Sequence, residues 1–433
     1  MATTNDTPAS QTPSSTSRLM SVDALRGFDM FWIIGADSLV YALHRMRPGR
    51  LTTGLADQLE HAEWYGFHFY DLIFPLFVFI VGVSLVFSLT KTIERAGRAE
   101  ALKRIFRRSV LLFAIGIFYS GGLTSPWPDM RLMGVLNRIA LAYFFAGLLF
   151  CFFKPRALVG ICVGILIGYW ALMSFVPIRD IQLTKSNLAR LAEQAGDAQT
   201  AALFKAEGNP SAVKDSPAWA AAEKMFYATT NRVTGKFDRG LNLSDHVDFR
   251  YLPGRKYDIF FDPEGYVSTI PAVATCLLGV FAGLLLRNQS VQDKQKVLWL
   301  IGCGIAAAAL GWLWDIQFPV IKKIWTSSYV LVAGGYSAIL LGVFYFIVEI
   351  WKARAWCQPF VWMGMNSITI YVASNILGSF RRVAPRLVGG DVKTYLDQHV
   401  ARGCGDMVIS IVGLLLAFWL VHFLYKRKIF LRL

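Results

Sequence analysis

Two histidines, a tryptophan and an aspartate stand just ahead of a long apolar run in LEHAEWYGFHFYDLIFPLFVFIVG, residues 59–82. On a helix starting near Leu59, His61, Trp64, His68 and Asp71 would share one arc of about 80°. A histidine at a wet rim titrates near neutral pH and serves as base, acid or nucleophile. By itself such a residue is also an ordinary interfacial anchor. An earlier apolar segment, near 24–44, adds Asp23, Arg26, Asp29 and Asp37. At about 100° per residue, Asp37 lies about 20° from Arg26 and Asp29 about 60° to the other side, on a stripe about 16 Å long. Ionisable groups at that depth face a bundle interior or a water-filled cavity. Alternatively, the stripe is an ion-pair network that locks helices together. With carboxylates converging from two helices, Asp37, His61 and Asp71 form a candidate acid/base cluster at one lip of the membrane.

Two further polar sites lie deep in apolar blocks. RLMGVLNRIALAYF (131–144) carries Asn137 and Arg138, and GMNSITIY (364–371) carries Asn366 and Ser367 beside Gly364. Helix-packing hydrogen bonds are one reading of Asn and Ser. Arg138 needs an anion or a carboxylate.

The elements that must position these residues are transmembrane helices. The 433 residues are 55% hydrophobic and only 17% charged, and the apolar residues fall in blocks near the length that crosses a bilayer. Segments at 24–44, 70–90, 109–121, 133–153, 157–176, 266–286, 297–316, 327–351, 359–378 and 405–425 read as spans. The expectation is an all-α polytopic membrane protein with about ten helices. Between the fifth and sixth lies one long extracytoplasmic insertion, 177–265, with enough aromatics to pack as a cap. The Ser/Thr/Pro-rich residues 1–17 read as a disordered cytoplasmic tail without a secretory signal, which leaves 18–433 as the membrane domain. The loop 91–108 holds seven of the Lys/Arg residues, and other basic clusters fall on alternate loops. Positive-inside then places both termini in the cytoplasm, although Arg381, Arg382 and Arg386 cluster on the opposite side.

This distribution accounts for the formal charge of +15, so nucleic acid is not expected as a partner. Cys151, Cys162, Cys276 and Cys303 sit in apolar stretches without ligand-like spacing, pointing to neither a disulfide framework nor a metal. No Walker, GxGxxG, HExxH or GxSxG pattern occurs in a supporting context. A phosphate-bearing partner would have to be held by Lys and Arg.

RLMSVDALRGFDM, EHAEWYGFHFYDLIFPLFVFIVGVS, RLMGVLNRIALAYF, DPEGYVSTIPAVATCLLGVFAG, IWTSSYVL and GMNSITIYV occur in order. In these six blocks the chain resembles the heparan-α-glucosaminide N-acetyltransferase family, including its bacterial relatives, over nearly all of 18–433. The resemblance implies a multi-pass inner-membrane enzyme. It would take acetyl from cytoplasmic acetyl-CoA and deliver it to the amine of a terminal glucosamine or other amino sugar on the far side. His61 matches the family's active histidine, and Asp37 stands where the family has an asparagine. Asp71 would orient the imidazole. The phosphates of acetyl-CoA are expected at Arg26, Arg104, Arg107 and Arg108, with Arg138, Asn366 and Ser367 along the cofactor path. Glu60, Trp64, Asp262 and Glu264 are expected at the acceptor side, the acids with Asp37 and Asp71 forming an acidic mouth that attracts an ammonium. DPEG could equally be a helix start, with Pro263 in its first turn. An O-acyltransferase of envelope glycans and a sugar or glycan transporter are the competing functions. Assembly as a homodimer is left open.

Overall fold

A straight helix of 47 residues would run about 70 Å, more than twice the hydrocarbon thickness of a bilayer. The helix Ile73–Tyr119 avoids this by turning at Gly97, whose φ of 82° and ψ of 174° suit a residue without Cβ. The second half returns beside the first, and Arg104 donates to Thr92 Oγ1 at 3.0 Å across the corner. This corrects the expected loop at 91–108. Beyond Gly97 the stretch AEALKRIFRR is mostly good helix formers, so the chain resumes its helix directly after the bend.

Residues 19–124, 126–205 and 216–431 are described by this computed structural model, and the tail 1–17 lies outside them. Among the described residues, seven helices are long and apolar enough to cross a membrane: Phe69–Tyr119, Val135–Phe152, Pro155–Phe175, Tyr266–Arg287, Asp293–Trp314, Ser327–Ile350 and Cys404–Lys426. The chain is an all-helical polytopic membrane protein. Its described strands are a single antiparallel pair, Ile178–Arg179 against Arg232–Val233.

Two expected spans are interrupted. The first runs from Met20–Phe31 through a wide turn at Trp32–Ala36, where Gly35 has φ 114°, into Asp37–Met46. The other is split at Asn366, two residues after Gly364, into Gln358–Met365 and Ser367–Ile376. These broken helices cross almost backbone to backbone. A Cβ at Gly27 would stand 1.7 Å from the Phe360 carbonyl oxygen, and one at Gly364 would stand 1.9 Å from that of Asp23. Small residues at such crossings let dispersion contacts accumulate where lipid offers no hydrophobic drive.

The central core packs Leu76, Phe79 and Val83 against Cys276, Leu277 and Val280. A second core lies under the insertion. Helices Lys185–Gln194, Ala198–Lys205, Pro217–Ala228 and Leu243–Tyr251 surround Trp219, which stacks on Phe249 at 4.7 Å. That cluster continues through Phe260 and Phe261 onto Tyr169, Met173, Phe318 and Ile324 at the ends of the membrane helices.

Candidate active site

His61 lies on an irregular segment, 59–68, rather than on a helix; regular structure resumes with a tight turn at Phe69–Leu72. The expected helical arc of His61, Trp64, His68 and Asp71 is therefore wrong. Anchoring from both sides replaces it. Trp64 Nε1 donates to the Phe237 carbonyl at 2.8 Å and Tyr65 Oη to Asp238 at 2.6 Å, tying the segment to the cap. The Gly66 amide donates to the Val320 carbonyl at 2.9 Å, tying it to the connection before Ser327.

Asp71 organises this segment. Its carboxylate is fully buried and accepts from His61 Nδ1 at 2.8 Å, from the Ala62 amide at 3.1 Å and from the His68 amide at 3.0 Å. The His61 side chain stays 51% exposed, with its ring 4.9 Å from that of Tyr70. A carboxylate bonded to Nδ1–H leaves Nε2 as the acceptor. Lys322, which the sequence reading did not single out, completes the cluster. Its Nζ is 3.2 Å from Asp71 Oδ1 and 2.9 Å from His61 Nδ1. Burial pulls its pKa below the usual lysine value, and Asp71 opposes that pull.

His61 and Lys322 line a cavity of about 510 Å³ together with Met30, Tyr70, Phe74, Tyr257, Trp325 and Tyr371, with Asp71 buried behind them. The acidic mouth expected here is overturned. Arg131, Arg138, Arg239, Lys322 and Lys323 line the cavity against only Glu63 and Glu264. Asp262 is buried and held by Arg131 through two bonds of 2.8 and 2.9 Å, and Glu264 accepts from the same guanidinium at 2.7 Å. Asp262, with its Oδ1 accepting from the Glu264 amide, shapes the approach to the helix Tyr266–Arg287. Asp248 accepts from the Tyr266 amide at 3.0 Å.

Other expected members lie elsewhere. Asp37 lines neither this cavity nor the one on the opposite face, and Arg381 is the cation acting on it. The bend at Gly35 takes it off the Arg26 stripe. Glu60 is exposed outside the cavity lining, where its backbone carbonyl accepts from His68 Nδ1. Trp64 is a buried anchor of the cap core, not a cavity residue. Arg138 does not join the other arginines. It is buried in the His61 cavity wall, donates to the Pro263 carbonyl and Ser268, and lies over the Trp325 ring at 4.7 Å. Its direct partners are a backbone carbonyl, a hydroxyl and aromatic faces, while the expected carboxylate charge, from Glu264 and Asp262, acts on it through space.

The opposite face holds a second cavity, of about 840 Å³, where Arg26, Arg104, Arg107 and Arg108 come together with Asn366 and Ser367. Lys91 and Arg95 join them, because the corner at Gly97 folds that basic stretch over the opening. Arg26 also bonds Asp23 at 3.2 Å, Ser84 and the Gly364 carbonyl. Phe77, Leu136, Ile139, Ser367 and Ile368 line both cavities. The two spaces therefore share one short partition, set at the break in Gln358–Ile376.

A polytopic helical membrane protein with a His–Asp–Lys cluster at the wall of one cavity and an arginine-rich cavity behind it is the class that fold and site define. Residues 18–190 match the family model described as heparan-alpha-glucosaminide N-acetyltransferase, catalytic. The heparan-alpha-glucosaminide N-acetyltransferase of Homo sapiens is 27% identical over 430 residues, covering 95% of this chain and 59% of that protein. The one from Mus musculus is 26% identical over 437 residues, covering 96% and 61%. The resemblance carried by the six sequence blocks is thus borne out, and the chain spans about three-fifths of the length of these relatives.

Proposed function

We propose that this chain is a transmembrane N-acetyltransferase that moves acetyl from cytoplasmic acetyl-CoA to the amine of a glucosamine or related amino sugar across the membrane. The single observation that carries the reading is the pair of cavities meeting at one partition, basic on one side and holding His61 on the other. The relatives' printed activity supports the same chemistry. In this reading the arginine cavity faces the cytoplasm, with both termini on that side of a multi-pass inner membrane protein. Its guanidinium groups suit phosphates, which they bind with charge-assisted hydrogen bonds. The pantetheine arm runs past Ser367 and Ile139 so that the thioester reaches His61. Asp71 holds Nδ1–H, and Nε2 takes a proton from the attacking amine.

The test is purified protein in proteoliposomes given labelled acetyl-CoA and glucosamine-terminated acceptors. Label on an amine, lost in His61→Ala, is the expected result. Label on a hydroxyl would replace this reading with an O-acyltransferase, and acceptor uptake without label would replace it with a transporter.

A further inference from the structure

We infer that Lys322 is a catalytic residue of the acetyl transfer, the donor that stabilises negative charge on the acetyl oxygen; this rests on the transferase reading above. Lys322 Nζ stands 2.9 Å from His61 Nδ1 and 3.4 Å from Nε2. A donor in the ring plane on the Nδ1 lone-pair axis would lie about 5 Å from Nε2. Lys322 is therefore above the face of the imidazole, not in its plane. The in-plane position at Nδ1 belongs to Asp71, at 2.8 Å. The ammonium thus leaves the orienting bond intact and stands beside the nitrogen at which the reaction must occur.

Its donors are also placed for a second partner. Asp71 Oδ1 accepts at 3.2 Å, and an ammonium has more N–H groups than that one contact uses. Lys322 lines the His61 cavity, so the remaining donors have that space before them. The neighbouring cations are committed elsewhere. Arg131 holds Asp262 and Glu264, Arg138 the Pro263 carbonyl and Ser268, and Arg239 and Lys323 both hold Asp258.

The chemistry needs a cation there. As the amine nitrogen bonds to the acetyl carbon, the carbonyl π pair moves onto oxygen and Nε2 takes the amine proton. Collapse restores the carbonyl and breaks the C–S bond. Sulfur leaves with its electron pair and is protonated from Nε2, giving an amide and a free thiol. Lys322 keeps its own protons and gives only a hydrogen bond to the oxygen while it is negative. A preorganised donor in a water-poor site contributes about 100- to 1,000-fold to kcat in comparable acyl transfers. If acetyl rests on Nε2 between half-reactions, its oxygen is again within reach of Nζ, so both routes use the same donor.

The competing role is structural, with Lys322 doing no more than neutralising buried Asp71. Reconstituted full-length protein, with glucosamine as acceptor and either acetyl-CoA or fluoroacetyl-CoA as donor, separates the two. Fluorine stabilises the oxyanion by itself, so a variant lacking the lysine should lose less with that donor. Lys322→Met is expected to lower kcat for acetyl-CoA about 100-fold or more, with KM for acetyl-CoA moving less than about threefold. The loss should be smaller with fluoroacetyl-CoA, and Lys322→Arg should restore part of the rate. Equal losses with both donors, or a kcat within about threefold of wild type, would overturn the role of Lys322 while leaving the transferase reading standing. Wild-type protein that binds acetyl-CoA but labels no amine would overturn both.

Discussion

Asp71 was placed beside His61 by spacing alone, and the pairing holds although the helix behind that argument does not form. The sequence keeps nine residues between them, and the 59–68 segment curls back so that one carboxylate receives a side chain and two backbone amides. Those donors also change what substitution should do. An amide at Asp71 would set an NH₂ group against one or more of them, so Asp71→Asn is expected to lower kcat about 100-fold. It should also lower the melting temperature. His61→Ala should abolish transfer while leaving the melting temperature within about 1 °C, because a half-exposed side chain contributes little packing. Parallel turnover and thermal-melt measurements check both. A stable, fully active Asp71→Asn would remove the carboxylate from its orienting role. Lys322 was not legible beforehand. DIQFPVIKKIW has no periodicity that aims one lysine rather than its neighbour, and only the fold decides that Lys322 reaches His61 while Lys323 reaches Asp258.

At the scale of elements, hydropathy marks the seven long apolar helices but not where helices bend. Gly35, Gly97 and Asn366 each break a segment that reads as continuous or as loop, and each break feeds a cavity wall or carries a polar group away from its expected face. Asp37 left the cluster for that reason. The cap shows a different balance, set by two adjacent buried groups on Leu243–Tyr251. Burial raises the Asp245 carboxyl to about 7 and lowers the His246 imidazole to about 4. Both shifts mean that the fold favours the neutral form. Stability from Asp245 is full below its ordinary value of 3.8 and lost as pH rises to about 7. Stability from His246 is full above 6.5 and lost as pH falls to about 4. The two dependences oppose each other, so each should emerge when the other is removed. Asp245→Asn should melt at lower temperature at pH 5 than at pH 7, and His246→Gln at higher temperature at pH 5 than at pH 7. Slopes of the same sign in both variants would show that these groups do not govern the cap.

For the whole molecule, the decisive feature is that a basic cavity and a histidine cavity on opposite faces share a partition of five residues. Six sequence blocks carried the family resemblance, but none of them announces a partition. It is assembled from three separate helices, with Phe77 on one, Leu136 and Ile139 on the second, and Ser367 and Ile368 at the interrupted third. If acetyl crosses here, binding and transfer are separable by position. Arg104→Gln removes a cation at the basic end and should raise the acetyl-CoA dissociation constant about three- to tenfold at low salt, less at high salt. Its kcat at saturating donor should stay near wild type. Ser367→Phe instead fills the shared wall. It should leave binding of CoA, read by isothermal titration, within about threefold, while lowering acetyl transfer about 100-fold or more, because the thioester no longer reaches Nε2. Ser367→Ala, which adds no bulk, is the control for lost polarity. Transfer surviving in Ser367→Phe would mean that acetyl does not pass this partition, and that His61 receives it by another path.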